Sequence, residues 1–441
     1  MSLRFGYGRT CITPEESVPL AGYGNTSKRM STNVLDDLFA TAIAFSDDKE
    51  TIILITLDLL HANPMWTECI RNAITEACGI PGDHIMVANT HTHAAPDMYN
   101  REEESIVRYR DYLAKRVCEA AVAAMSDRMP GKMFAGVRQM QQNMNFVRNY
   151  IKDENAHGGM RHAGEPDRRL QLVRIQREGS KDILLMNWQA HPCFTGGTKK
   201  TDISADYIGT VRKCMEEKTG ALLAFFQGAS GNLTTGSKIV GERITNDHEI
   251  YGKLLAEWSL RMLEKLESVS GDKINFVEHK ITVPIDHSDD HRLEDAKIVN
   301  AHWQEHYDYA ICNKFANSYG MNSVYHASGI MFRARQGASA EMVLNAFSVG
   351  DLSFVCAPFE MYSVNGSYIK DNSPFGTTFI ITSCNTLHGY LAEDKAFEYG
   401  CYEVDFRRYP RGTAECVAET FCKILQALKE NKKFMSNIKN I

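Results

Sequence analysis

Apolar residues along this chain follow two rhythms. From Ala40 to Leu60 an apolar run meets the charged turn Ser46-Asp47-Asp48-Lys49-Glu50, and a second apolar run follows. Leu170 to His191 repeats the design around Arg177-Glu178-Gly179-Ser180-Lys181-Asp182, and Leu344 to Glu360 repeats it around Gly350-Asp351. Apolar runs bounded by turn residues predict β-hairpins. Elsewhere the spacing becomes helical, in Ile106, Tyr109, Leu113, Val117 and Ala121, in Leu254, Trp258, Met262 and Leu266, and in Val417, Phe421, Ile424 and Leu428. Strands and helices alternate throughout, with no linker or repeat, which predicts an α/β protein of mixed β-sheets flanked by helices in a single large domain, 1–441. A polar helix from about Arg292 to Tyr309 reads as part of a helical surface insertion at about 288–325.

Composition narrows the class. The chain has 441 residues, 44% hydrophobic and 24% charged, which is the profile of a soluble globular protein with ample core. A net charge of -6 argues against nucleic acid or an anionic membrane surface as partner. There is no leader-like apolar segment at the start and no run of about 18 apolar residues, so no integral membrane segment is expected. The twelve cysteines are scattered with no Cys-x-x-Cys pair. That excludes a zinc ribbon or thioredoxin-type site and fits buried thiols in a reducing cytoplasm.

The candidate chemistry follows the apolar strands. Asn89-Thr90-His91-Thr92-His93 comes after one, Asn187-Trp188-Gln189-Ala190-His191-Pro192 after another, and Gly228-Ala229-Ser230-Gly231-Asn232-Leu233-Thr234 after a third. Phe354-Val355-Cys356 leads to Glu360, and Phe379-Ile380-Ile381 leads to Tyr390. Carboxyl ends of strands are where α/β folds place their sites. Two histidines, a glutamate and a tyrosine arriving this way could converge on one zinc ion, with a position left open for water. Each also has a structural alternative: a hydrogen-bonded strand-end histidine, a helix-start acid at Glu360, a core tyrosine at Tyr390. His91 and His93 share a face only if the segment stays extended, and a turn would divide their roles.

A second metal pattern competes. His302-Trp303-Gln304-Glu305-His306 matches the inverted zincin motif, with both imidazoles on one helical face. Its polar, tyrosine-rich surroundings equally suit a solvated helix.

Taken together, the Asn89–His93 and Asn187–Pro192 segments and the Gly231-Asn232-Leu233-Thr234 turn resemble the neutral/alkaline non-lysosomal ceramidase family. Gly8-Arg9-Thr10-Cys11-Ile12-Thr13-Pro14, Pro19-Leu20-Ala21-Gly22-Tyr23 and Leu57-Asp58-Leu59 agree, in the family's order, over about residues 6 to 410. The resemblance implies a catalytic domain in which His91, His191, Glu360 and Tyr390 bind one zinc. It implies His93 beside the metal as proton shuttle or hydrogen-bond donor. Arg148 falls where the family has an active-site arginine, able to clamp a carboxylate, a phosphate or a developing oxyanion.

Two departures separate the chain from that pattern. The family's Gly-Asp-Val-Ser-Pro-Asn turn is Gly231-Asn232-Leu233-Thr234-Thr235-Gly236 here, so Thr234 keeps a hydroxyl but is expected to orient substrate while zinc-bound hydroxide attacks. No C-terminal immunoglobulin-like domain is expected, and the charged loop Asp153 to Arg169 suits a more polar ligand than ceramide. The expected activity is therefore zinc-dependent hydrolysis of a carboxamide in a small-molecule or lipid-like N-acyl substrate, with an ester as the near alternative. A zinc protease using His302, Glu305 and His306, and a non-catalytic ligand-binding relative, are the other readings.

Overall fold

Neighbouring residues of single strands enter different cores. A computed structural model describes residues 3–23, 29–61, 63–99, 103–140, 144–147, 165–197, 199–235, 247–432 and 434. Its larger sheet contains β1 (Arg4–Cys11), β2 (Phe39–Ser46), β3 (Thr51–Leu57), β4 (Ile85–Asn89), β5 (Met129–Gln139), β6 (Arg169–Arg177), β7 (Ile183–Trp188) and β8 (Leu222–Gln227). The strand order is β8-β7-β6-β5-β1-β2-β3-β4, with a short strand, Glu267–Ser268, beside β5. The smaller sheet runs β9 (Ile274–Pro284), β10 (Ser339–Val349), β11 (Leu352–Cys356), β12 (Thr377–Ile381). Both sheets are mixed, because β3 with β4, β7 with β8, and β11 with β12 are parallel while their other neighbours are antiparallel.

The two-residue period of a strand explains the layers. Ile43 and Phe45 of β2, and Ile52 and Leu54 of β3, meet Phe347, Phe354 and Phe379 between the two sheets. Ala42, Ala44, Ile53 and Ile55 point the other way, under α1 (Pro64–Cys78) and α2 (Glu104–Ser126). On the same outer face, α3 (Tyr207–Thr219) and α4 (His248–Leu263) cover Leu184, Met186, Leu223 and Phe225. The smaller sheet sends Leu344, Val355 and Ile380 against the last helix, Thr413–Lys429. The result is a helix–sheet–sheet–helix stack, and it matches the α/β expectation.

The three expected hairpins form as β2–β3, β6–β7 and β10–β11. α2 and the last helix bury the residues that their spacing indicated. In α4 the buried stripe is Tyr251, Leu255, Ser259 and Met262, shifted by one position from Leu254 and Trp258. Trp258 instead lies half-buried under the guanidinium groups of Arg138 and Arg261.

Between β9 and β10, which pair from Ile274–Val349 to Pro284–Ser339, lies a helical excursion that overlaps the expected 288–325 and runs on to Arg333. Between them the chain forms α5 (Leu293–His306), α6 (Tyr309–Ser318) and α7 (Val324–Arg333), around a core of Val299, Cys312, Val324 and Ile330. α5 stops at His306 because Tyr307 takes φ 49, a left-handed helix end, and Asp308 then caps α6 through the Ile311 amide. At the base, Asp289 joins Arg333 (3.2 Å), Arg407 (2.9 Å) and His326 (3.4 Å). All twelve cysteines are free thiols. Among the described residues no helix is long and apolar enough to cross a membrane.

Candidate metal centre

The His91–His93 segment does not stay extended. After β4 ends, the Thr90 and His91 amides donate to the carbonyls of Leu57 and Leu59. His91 then adopts φ 68, left-handed backbone that a non-glycine residue holds only when its surroundings impose it. Those surroundings include the loop after β12. Asn89 donates to the Ser383 carbonyl at 2.8 Å, and Asn385 bonds Val87 through both its backbone amide (2.7 Å) and its side-chain oxygen (2.9 Å). The bend at His91 still leaves both imidazoles together, with ring centres 5.2 Å apart.

Two further strand ends bring partners. Asn187 in β7 donates to the carbonyls of Phe226 and Ile380, which ties the two sheets together just before His191. Gln227, ending β8, donates to the Ala190 carbonyl and to Ser230 Oγ. The Ser230 carbonyl in turn receives His191 Nδ1 at 3.1 Å. Glu360 and Tyr390 are direct partners in a short parallel pair, Glu360–Met361 with Tyr390–Leu391, so register alone delivers them to one place. Gly231 packs so closely behind this pair that a Cβ there would lie 2.6 Å from the Glu360 carbonyl oxygen.

His91, His93 and His191 each offer a ligand atom within 4.8 Å of the others. Their hydrogen bonds decide the tautomers. His91 Nδ1 lies 2.9 Å from the Leu60 carbonyl, His191 Nδ1 3.1 Å from that of Ser230, and His93 Nδ1 3.2 Å from that of Gly22. A carbonyl can only accept, so each Nδ1 carries the proton and each Nε2 is left as the acceptor. His91 Nε2 and His191 Nε2 face each other at 3.1 Å, and Glu360 Oε2 lies 3.2 Å and 3.8 Å from them. Lone pairs and a carboxylate gathered this way repel unless a cation stands among them, and the carbonyls behind them form the outer shell typical of metal-binding histidines. The donor set therefore fits a metal ion.

The site opens into a cavity of about 780 Å³. His91, His93, Glu360 and Tyr390 line it, together with His61, Asp97 and aromatic residues from α5 to α7.

The crystal structure of neutral ceramidase from Pseudomonas aeruginosa superposes with a TM-score of 0.75, over 99% of this chain and 76% of that one, at 16% identity. A ceramidase complexed with C2 gives 0.74 and 15% over the same shares. The chain has the neutral ceramidase fold. No family model and no curated protein matches it.

Within this ceramidase fold the other expected residues fall differently. Arg148, Gly236 and residues 153–164 of the expected loop lie outside the described residues. Thr234 pairs with Phe146 in a two-residue ladder and is not on the described wall of the cavity. The rest of its turn is structural: Gly231 donates to the Met361 carbonyl and Asn232 accepts from the Ser363 amide. The His302–His306 motif is not drawn into a metal group among the described residues. His302 stacks on Phe315 at 4.0 Å, and the side chains of Glu305 and His306 are 74% and 42% exposed. The same helix turns Trp303 and Gln304 toward the cavity beside the three histidines instead.

His61 and Asp97 were missed by the sequence reading. His61 follows β3 by four residues, so the strand-end rule that selected His91 would also have selected it. Burial, reinforced by His91 against Asp97 and Glu360, pushes His61 down to about 4 and keeps its imidazole neutral.

Gly22 offers a prediction. At φ +108 it supplies the carbonyl for His93, and a Cβ there would meet His93 Nδ1 at 2.4 Å. Gly22→Ala should displace that imidazole, and any turnover that depends on it should fall about 100-fold in kcat/KM, the cost of a misplacement near 1 Å. Metal content, read by elemental analysis, should stay close to the parent's.

Proposed function

We propose that the protein is a zinc-dependent hydrolase of a carboxamide in an N-acyl compound, with esters as near substrates. The observation that carries this reading is the orientation of the donors: all three Nδ1 atoms are committed to carbonyls, and Nε2 of His91 and of His191 meet at 3.1 Å beside Glu360. The fold supports it, since the solved structures it resembles are named ceramidases and ceramide is an N-acyl amide.

His91, His191, Glu360 and Tyr390 would hold the ion. When bound, zinc supplies Lewis acidity toward the carbonyl oxygen and toward the attacking water. His93 stands beside these residues with its Nδ1 proton held by Gly22, so its Nε2 can take a proton during attack and return it to the leaving amine. His61, neutral in the same cavity, adds no positive charge that would oppose the ion. Arg148 is proposed to clamp a negative group of the substrate or the developing oxyanion. Thr234 lies off the described wall, which suits neither attack nor direct contact with substrate, so any part it takes in orienting substrate is proposed to be indirect.

The test is elemental analysis joined to a hydrolysis screen over short- and long-chain N-acyl amides. The expected result is about one zinc per chain and turnover abolished by a chelator. Chelator-resistant turnover, or a metal-bearing protein inert toward every amide and ester, would count against the reading.

A further inference from the structure

Arg29 is almost wholly buried, and main-chain carbonyls from separate segments accept from its guanidinium. Nη1 donates to Ala21 at 2.8 Å, Nη2 to His93 at 3.2 Å and Nε to Lys200 at 3.1 Å. The Arg29 carbonyl takes the Leu20 amide at 2.9 Å, and its Cζ lies 5.0 Å from the centre of the Tyr23 ring. That ring in turn sits 5.2 Å from the His93 imidazole, at 63°. A guanidinium is a rigid fork, so carbonyls bound to it keep fixed positions relative to one another. Moving any of them away strands a buried N–H.

Two of these contacts flank one imidazole. The bond to the His93 carbonyl fixes the backbone that carries the ring. The bond to the Ala21 carbonyl fixes the segment leading into Gly22, whose own carbonyl holds His93 Nδ1 at 3.2 Å. One side chain therefore sets the separation between the ring and the acceptor of its proton. The consequence is chemical. While the proton stays on Nδ1, Nε2 keeps the lone pair that accepts; once the acceptor drifts, the proton can occupy either nitrogen. The acceptors of His91 and His191 are the carbonyls of Leu60 and Ser230, which belong to other segments.

We infer that Arg29 is a positioning residue for His93, holding the imidazole and its Gly22 acceptor together so that Nε2 is kept free to take a proton. The inference rests on the part proposed above for His93.

Nitrogen NMR of the full-length protein labelled at histidine reads which ring nitrogen carries the proton, with His93→Ala assigning the His93 signals. In the parent, His91, His93 and His191 should all be protonated on Nδ1. In Arg29→Ala, His93 should show both tautomers while His91 and His191 keep theirs. Guanidinium chloride at a sub-denaturing concentration should restore His93, where equal sodium chloride should not. Arg29→Gln, shorter and uncharged, is a second variant with the same expected mixture. For turnover of an N-acyl amide, Arg29→Ala should lower kcat/KM by about 10- to 100-fold, the scale of a misplaced group. Introduced into His93→Ala, the same change should cost less than about threefold, because a residue acting through His93 has nothing left to position. A parent with the His93 proton on Nε2, or variants in which His93 stays on Nδ1, overturns the inference without any rate measurement. So does a change in all three histidines together, or an equal loss of rate in both backgrounds, since either marks general support of the loops. The tautomers are read without substrate. The expected NMR result without amide turnover therefore rejects the reaction alone, and amide turnover with an unmoved His93 tautomer rejects the positioning role alone.

Discussion

His191→Ala is expected to remove stoichiometric zinc and to lower amide turnover by about 1,000-fold or more. The size follows from the several kcal/mol of charge stabilisation that a metal supplies, with each 1.4 kcal/mol worth tenfold. His191 is almost wholly buried and its Nδ1 is held by Ser230, so its Nε2 has a fixed position that truncation to alanine leaves vacant. His93→Ala separates two roles that the geometry places side by side. If His93 is the proton carrier proposed above, its removal should leave zinc in place and cost about 100- to 10,000-fold in rate. Elemental analysis and kcat measured on both variants decide the matter. If His93→Ala loses zinc as completely as His191→Ala, His93 is a ligand and the division fails. If His191→Ala keeps both zinc and activity, the whole centre has been misassigned.

The grouping of these residues was only partly legible in the sequence. Strand ends announced themselves through apolar runs followed by Asn, His and Gly, and the structure brings the residues after β4, β7, β11 and β12 to one place. The conformation of His91 was not readable, because it depends on carbonyls of Leu59 and Leu60 and on the loop of Ser383 and Asn385, some 30 and 290 positions away. Nor was the meeting of Glu360 with Tyr390, since parallel register between segments 30 residues apart leaves no local pattern. The helical excursion was read as a polar surface element because tyrosine and tryptophan carry polar atoms on large apolar rings. Its inner side is nevertheless a wall of the cavity. The stripe of α4 shifted by one residue for a similar reason, since Trp258 packs only partly against the core and offers its ring to the guanidinium groups of Arg138 and Arg261.

Asp167→Asn should destabilise the protein by about 3 to 5 kcal/mol at pH 7, the cost of leaving a buried partner charge uncompensated. Asp167 and Lys370 are both almost completely buried and lie 3.0 Å apart, with Arg169 on the other carboxylate oxygen at 2.8 Å. Lys370 also reaches the side chain of Gln189, two residues before His191, so the pair braces the strand end that carries a proposed ligand. Burial alone would raise the Asp167 carboxyl, but Lys370 and Arg169 override it and hold the group below its ordinary value. A depressed carboxyl contributes stability that is fully present above its unfolded pKa, about 4, and that is lost as pH falls through the folded value. The difference between parent and variant should therefore be greatest at neutral pH and shrink steadily below about pH 4. For a chain of this length the loss at pH 7 corresponds to about 3 to 5 °C in Tm, measurable by calorimetry. A gap that widens on acidification would show that Asp167 is not held ionised by its partners. The paired change Asp167→Leu with Lys370→Met should recover most of the loss, because replacing a buried ion pair by apolar side chains is often near neutral whereas removing half of it is not.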